Sequence, residues 1–339
     1  MNDTKIVRTI CYFSDSPTAE QVEKVQAVAK LLEEKEYLIQ TRRFCTTLDK
    51  LTELQTVTAD TIDYRSAGAV TYDDALELLP SFFKDNGLTF NIDLAKEDIE
   101  AKHAELLYKI IAEKPSKTFN FTYTFNNALS SPYFPSGTYA QNGFAIGLQP
   151  TNLAKNCKTL DEWLHAMQNS WQEITGLFSN DPEFLGIDSS IAPIGGGDGS
   201  FVYFLNRLGI DFSHSTTTDM YIKITRFIKE KNPKPTGLCG MMLPCLEDDD
   251  LAVEYDKGNF SIERNVFLSL HSGLGIDTYP IGVDEDPARI VEILKLIQAL
   301  SNKYQKPLSA RFISDGKSKV GDKTDFQNQY LADCTIRAL

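Results

Sequence analysis

Five stretches of this chain hold side chains whose type and spacing could do chemistry. The first is Asp188-Ser-Ser-Ile-Ala-Pro-Ile-Gly-Gly-Gly-Asp-Gly-Ser200, between a strand-like and a helix-like segment. Gly195, Gly196 and Gly197 let backbone amides approach a ligand, and a following helix N-terminus favours negative charge. The same residues fit a tight turn in which Asp198 caps the helix. The stretch is neither a Walker loop nor a dinucleotide fingerprint. The second is the run Ser213 to Thr218, where His214 titrates near neutral pH and the hydroxyls suit a helix cap or a substrate.

The third runs from Thr236 to Asp248. Cys239 and Cys245 are six apart, which is not the spacing of a redox or zinc pair, and no histidine cluster accompanies them. Cys239 beside Gly240 is either a nucleophile or radical carrier, or a small residue on a buried strand. The acidic run Glu247 to Asp250 either ligates a divalent cation or starts a helix. In the fourth, His271 to Pro280, Asp277 interrupts an apolar strand, which costs stability unless its carboxylate is paired or faces a pocket. In the fifth, Lys306 to Arg311, the two-residue strand period puts Ser309 and Arg311 on one face. Arg311 matches either Asp277, as an ion pair, or a substrate carboxylate or phosphate.

An enzyme built from these parts has His214 as acid and base, with Asp277 orienting it or carrying a second proton. Cys239 is the spare nucleophile. Gly195–Gly197, Asp198, Ser309 and Arg311 grip an anionic small molecule. A metabolite sensor would use the same pocket without turnover, and a scaffold would use these residues only as buried polar pairs. No motif assigns a cofactor, and a metal has a candidate only at Glu247/Asp248.

The elements that must position these groups alternate along the chain. Strands are expected at 6–13, 37–45, 88–92, 119–125, 144–148, 185–192, 238–246, 276–281 and 308–313. Helices are expected near 72–85, 96–113, 160–177, 199–208, 216–230, 261–272 and 287–303. In the last, Asp286 caps, Pro287 takes the first turn, and Ile290, Ile293, Leu294, Ile297 and Leu300 line one stripe. Such alternation predicts an α/β fold with a largely parallel sheet or barrel. The stretches 51–66 and 127–142 read as excursions from one body, and no linker divides the chain, so 1–339 is expected to be a single domain.

Composition excludes some partners. Of 339 residues, 34 are Lys or Arg and 47 are Asp or Glu, a formal charge of −13, so nucleic acid and anionic membranes are not expected to bind. The first residues lack the apolar core of about 7–15 residues that marks a secretory signal. The longest apolar run, around 238–246, falls short of the ~20 residues that cross a bilayer. Six scattered cysteines then read as reduced thiols in a cytoplasmic protein.

Several blocks together resemble the uncharacterised domain-of-unknown-function family 711. They are Ser131-Pro-Tyr-Phe-Pro135 with Phe144-Ala-Ile-Gly-Leu148, Ile191-Ala-Pro193, Leu243-Pro-Cys-Leu-Glu-Asp248, Ser272-Gly-Leu-Gly-Ile-Asp277 with Pro280, and Lys306-Pro-Leu-Ser-Ala-Arg311. The resemblance implies a pyruvate formate-lyase-like ten-stranded α/β barrel made of two half-barrels, and a homodimer. It implies no reaction. Two departures stand out: Ser215 replaces the glycine of a Thr-His-Gly-Thr-Thr block, and 315–322 lacks the Arg-Val-x-Gly loop of glycyl-radical enzymes. Formate-lyase chemistry is therefore not expected, since fold alone does not transfer function.

Overall fold

The computed structural model describes residues 5–58 and 61–339; Met1–Thr4, which open the N-terminal segment, and Ala59 and Asp60, inside 51–66, lie outside the described residues. Ten strands form one sheet: β1 (Lys5–Phe13), β2 (Tyr37–Ile39), β3 (Arg42–Cys45), β4 (Tyr64–Ala69), β5 (Leu88–Asp93), β6 (Phe121–Phe125), β7 (Gly143–Leu148), β8 (Phe184–Asp188), β9 (Gly275–Pro280) and β10 (Leu308–Ile313). The ladder order is β8-β7-β1-β3-β4-β5-β6-β10-β9, with β2 also on β1. From β1 through β6 all neighbours are parallel, as are β7 with β8 and β9 with β10. Only β1–β7 and β6–β10 are antiparallel. The expected mixed α/β class with a largely parallel sheet is the one observed.

Both faces of the sheet are covered, which is why its strands read as near-continuous buried runs. On β1, Val7, Ile10 and Tyr12 pack with the helices, while Cys11 and Phe13 join Cys45 and Ala145 in a separate inner cluster. The longest helices form where the spacing says they should. In Leu160–Leu177 the Thr159 hydroxyl accepts from Glu162 N at 3.2 Å, and Trp163, Met167, Trp171 and Ile174 are buried at helical spacing. No described helix is long and apolar enough to cross a membrane.

Four expectations are corrected. The single strand at 37–45 is two, because Thr41 bends the chain and its hydroxyl donates to Arg8 O at 2.8 Å. The 51–66 stretch contains a helix, Leu51–Thr58, and the first half of β4, whose Tyr-Arg-Ser-Ala-Gly-Ala sequence has no β-branched residue to announce it. The 127–142 stretch is not an outward excursion. It lies on the inner face, where Thr9 donates to Pro132 O at 3.2 Å and Asn91 to Pro135 O and Gly137 O at 3.1 and 3.2 Å.

The fourth correction concerns 238–246, which forms no strand. Isolated parallel bridges join it to both sides, at Ile191↔Met241, Met241↔Gly273 and Pro244↔Asp277. Pro244 has no amide to donate, and Cys239 sits at φ +45°, so a regular ladder cannot run through. β8 and β9 remain the edges of an open ladder, and hydrogen-bonded strands do not close the expected barrel.

Candidate functional site

The inner face, the 127–142 segment and the 238–247 segment enclose a cavity of about 400 Å³. Its charged lining comes from Arg8, Arg43, Glu247, Asp277 and Arg311, and Phe119, Phe134, Leu243 and Leu274 are among its apolar walls. Two β-bulges bring charges to it. On β1 the register with β7 slips between Val7 and Thr9, so Arg8 is the extra residue beside the inward Thr9. On β9 the register with β10 slips between Ile276 and Tyr279, and Asp277 and Thr278 both fall between these two outward-packing residues. A bulge re-aims a side chain in this way next to binding sites.

Arg311 is held on two sides. Its Nε donates to Asp277 Oδ1 at 2.7 Å and its Nη2 to Glu247 Oε1, while Nη1 donates to Phe119 O at 3.3 Å. Arg8 Nη2 reaches the other Glu247 oxygen at 3.1 Å. Burial disfavours the Arg311 charge, but Asp277 and Glu247 overcome it and raise its pKa above the ordinary value. Of the two roles open to Arg311 in the sequence, the ion pair is the one formed.

Arg43 is different. It is only 7 % exposed, its Nε donates to Thr41 Oγ1 at 3.0 Å and its Nη1 to Pro132 O at 3.4 Å. The rings of Tyr64 and Phe134 lie 5.4 and 5.2 Å from its guanidinium carbon. Among the described residues no carboxylate forms an ion pair with it; the cavity's two acids are engaged by Arg8 and Arg311. Burial, reinforced by nearby Arg8, pushes its pKa down to about 10, so it is still charged at neutral pH. The cavity wall thus carries three guanidinium groups against two carboxylates.

Ser309 and Arg311 share the cavity wall, the face that the two-residue strand period gave them, and Asp277 joins them there through the β9 bulge. The other candidates are not with them. His214 has a side chain 90 % exposed, sits in the short helix Phe212–Ser215 and faces Asp211 at 4.0 Å, outside the cavity lining. The Thr217 and Thr218 hydroxyls bond back to His214 O and Ser215 O, so they finish local turns. Gly195–Gly197 form a turn outside the cavity, with Gly195 at φ +74° and its N–H on Glu247 O at 2.7 Å. Asp198 pairs with Lys155 and Arg207 at 3.6 and 3.9 Å; the cap on Phe201–Arg207 is Ser200. Cys239 is buried behind the wall, donates to Thr236 O at 3.3 Å, and burial with nearby Asp188 pushes its thiol up to about 11. A thiol that stays protonated is a poor nucleophile.

Sequence reasoning passed over Arg8, Arg43 and Tyr64, and saw Glu247 only as a metal candidate or part of a helix start. For Arg8 and Arg43 the missed signal is the one used for Asp277: a charge interrupting a buried strand. It also passed over the work of Asp188, which accepts from Ser131 Oγ at 2.8 Å, Ser190 Oγ at 2.6 Å, Leu238 N at 2.8 Å and Cys239 N at 3.0 Å. That carboxylate ties the inner loop to the 238–247 segment. Glu247 and Asp248 serve different partners, and among the described residues no group of three His, Cys, Asp or Glu is placed to hold a metal.

Asp248 caps the helix Asp249–Asp256 and also accepts from Phe201 N at 2.9 Å. Burial pushes its carboxyl up to about 7. A carboxyl raised above its unfolded value stabilises the fold most below about pH 4, and that contribution is lost as pH rises through the folded value. In urea denaturation, the wild type's advantage over Asp248→Asn is expected to shrink by about 1–3 kcal/mol from about pH 5 to about pH 8. An advantage that stays flat or grows contradicts the buried acid.

Similarity to known proteins is found both to a family model and to a relative. The family model described as "Uncharacterised ACR (DUF711)" matches residues 14–327. A "UPF0210 protein" of Syntrophotalea carbinolica is 24 % identical over 152 residues, covering 43 % of this chain and 33 % of that relative. The match therefore spans about a third of the relative's length. Neither description names a reaction, a substrate or a cofactor.

Proposed function

The chain belongs to the uncharacterised DUF711 family, and from that premise we propose that it binds a small organic anion in the cavity lined by Arg43. The observation that carries this reading is a buried guanidinium at the cavity wall with which no carboxylate forms an ion pair among the described residues. A buried charge is stable only when paired, and a ligand anion supplies the missing partner. The cavity's volume is within the range of small-molecule sites, about 300–1,000 Å³.

The same reading treats 1–339 as one domain and the 234–248 segment as the stave between β8 and β9. Parallel bridges on both sides of Met241 support a barrel of two five-membered halves. A catalytic version of the proposal gives the proton-carrying role to Asp277 in place of His214. Arg311 holds Asp277 Oδ1 and leaves Oδ2 without a hydrogen bond among the described residues.

A thermal-shift panel of carboxylate, phosphate and sulfonate metabolites tests the reading. At least one anion is expected to raise the Tm of the wild type and of His214→Ala, and Arg43→Met is expected to lose that shift. Unliganded Arg43→Met should match or exceed the wild type within about 1 kcal/mol, because an uncompensated buried charge is gone. If Arg43→Met keeps every shift of the wild type, the cavity is not the anion site.

A further inference from the structure

Resting on Arg43 as the anion grip, we infer that the ligand is a monocarboxylate with an apolar or aromatic body, and not a phosphate ester. The charge inventory sets the valence. One guanidinium exceeds the carboxylates of the wall, so a single negative charge leaves the buried set neutral. A phosphate monoester carries about −1.5 to −2 near neutral pH. It would leave surplus negative charge beside Glu247 and Asp277, in a setting where unpaired charge is costly.

The donors set the head group. Of the five N–H bonds of Arg43, Nε is used on Thr41 and one on Nη1 is used on Pro132 O. One N–H on Nη1 and both on Nη2 make no hydrogen bond among the described residues, enough donors for the two oxygens of a carboxylate. Tyr64 and Tyr330 also line the cavity, and their hydroxyls make no hydrogen bond among the described residues. They are ready donors to the same head group.

The walls set the body. A carboxylate alone fills a small part of about 400 Å³. Beyond the charged groups the lining includes Phe119, Met242, Leu243 and Leu274, and Tyr330 stacks on Phe119 with centroids 6.4 Å apart and planes 7° from parallel. Flat apolar walls recover hydrophobic free energy from an apolar or aromatic ligand body.

Titration calorimetry at neutral pH with three matched probes decides the class: 4-phenylbutanoate, its amide, and 3-phenylpropyl phosphate. The carboxylate is expected to bind at one site per chain, with the amide and the phosphate weaker by about tenfold or more. Arg43→Met should lower carboxylate affinity by a similar factor and leave the amide unchanged. Phosphate binding as tight as the carboxylate overturns the monocarboxylate class while leaving Arg43 as an anion grip. No saturable carboxylate binding at millimolar concentration also overturns the class, and the wider anion panel then decides on the grip. Equal binding of all three probes by wild type and Arg43→Met overturns both.

Discussion

Replacing Glu247 by alanine is expected to lower the folding free energy by about 3–5 kcal/mol. Glu247 is the shared counter-ion of Arg8 and Arg311, and the side chains of both Glu247 and Arg311 are less than a tenth exposed. Without it, Arg311 keeps the Asp277 carboxylate and the Phe119 carbonyl, and Arg8 keeps a hydrogen bond to Gln40 at 3.4 Å. Removing one partner of a buried pair strands the other charge, which costs more than the pair itself contributes. Chemical denaturation measures the loss. The double replacement Glu247→Met with Arg8→Met should recover part of it, because the stranded charge leaves too. A loss below about 1 kcal/mol in Glu247→Ala would mean that solvent reaches the network and screens it.

The second large effect is expected at Gly275, where Gly275→Val should cost more than about 4 kcal/mol or prevent accumulation of folded protein. The residue has φ +103°, and a Cβ there would lie 2.1 Å from Ser309 O and 2.6 Å from Ser309 N. Both objections are backbone ones, so no rotamer change relieves them. Gly275 pairs with Ser309 at the start of the β9–β10 ladder, just before the bulge that turns Asp277 toward Arg311. Disruption there unpairs the ion pair as well as the strands. Gly176 is the control: it lies in the helix Leu160–Leu177, and a Cβ added there would meet nothing within 4 Å. Gly176→Ala should stabilise by up to about 1 kcal/mol. Circular dichroism with urea unfolding separates the two, and a folded Gly275→Val of near wild-type stability contradicts the steric account.

The layering was legible because strands buried on both faces give runs of β-branched and aromatic residues, as in Phe121–Phe125, and because capped helices keep a 3.6-residue stripe. The strand β4 was not legible, since its residues are chosen for an inner face already occupied by other backbone. Ser66, for example, donates to Gly137 O at 3.5 Å. The site was half legible. Asp277, Ser309 and Arg311 followed from strand alternation and the cost of a charge in an apolar run. Arg43 follows from the same rule, but it stands beside Arg42, which faces the other way and pairs with Glu33 at 3.0 Å. Two adjacent arginines look like a solvated pair until the strand that alternates them is known. His214 and the glycine run were chosen by residue type, and type does not say which way a loop faces.

The path of 127–142 limits how this chain can vary. A connection between strands ordinarily runs over the surface and tolerates lengthening or trimming. This one leaves β6, crosses the inner face and enters β7 on the far side of β1. On the way its carbonyls satisfy Thr9, Arg43 and Asn91, and Ser131 satisfies Asp188. Those donors belong to strands that are not its sequence neighbours, so its length is set by the width of the interior. Trimming it would empty the middle of the molecule and remove one side of the cavity in the same stroke. For this protein the most loop-like segment is under the tightest length constraint.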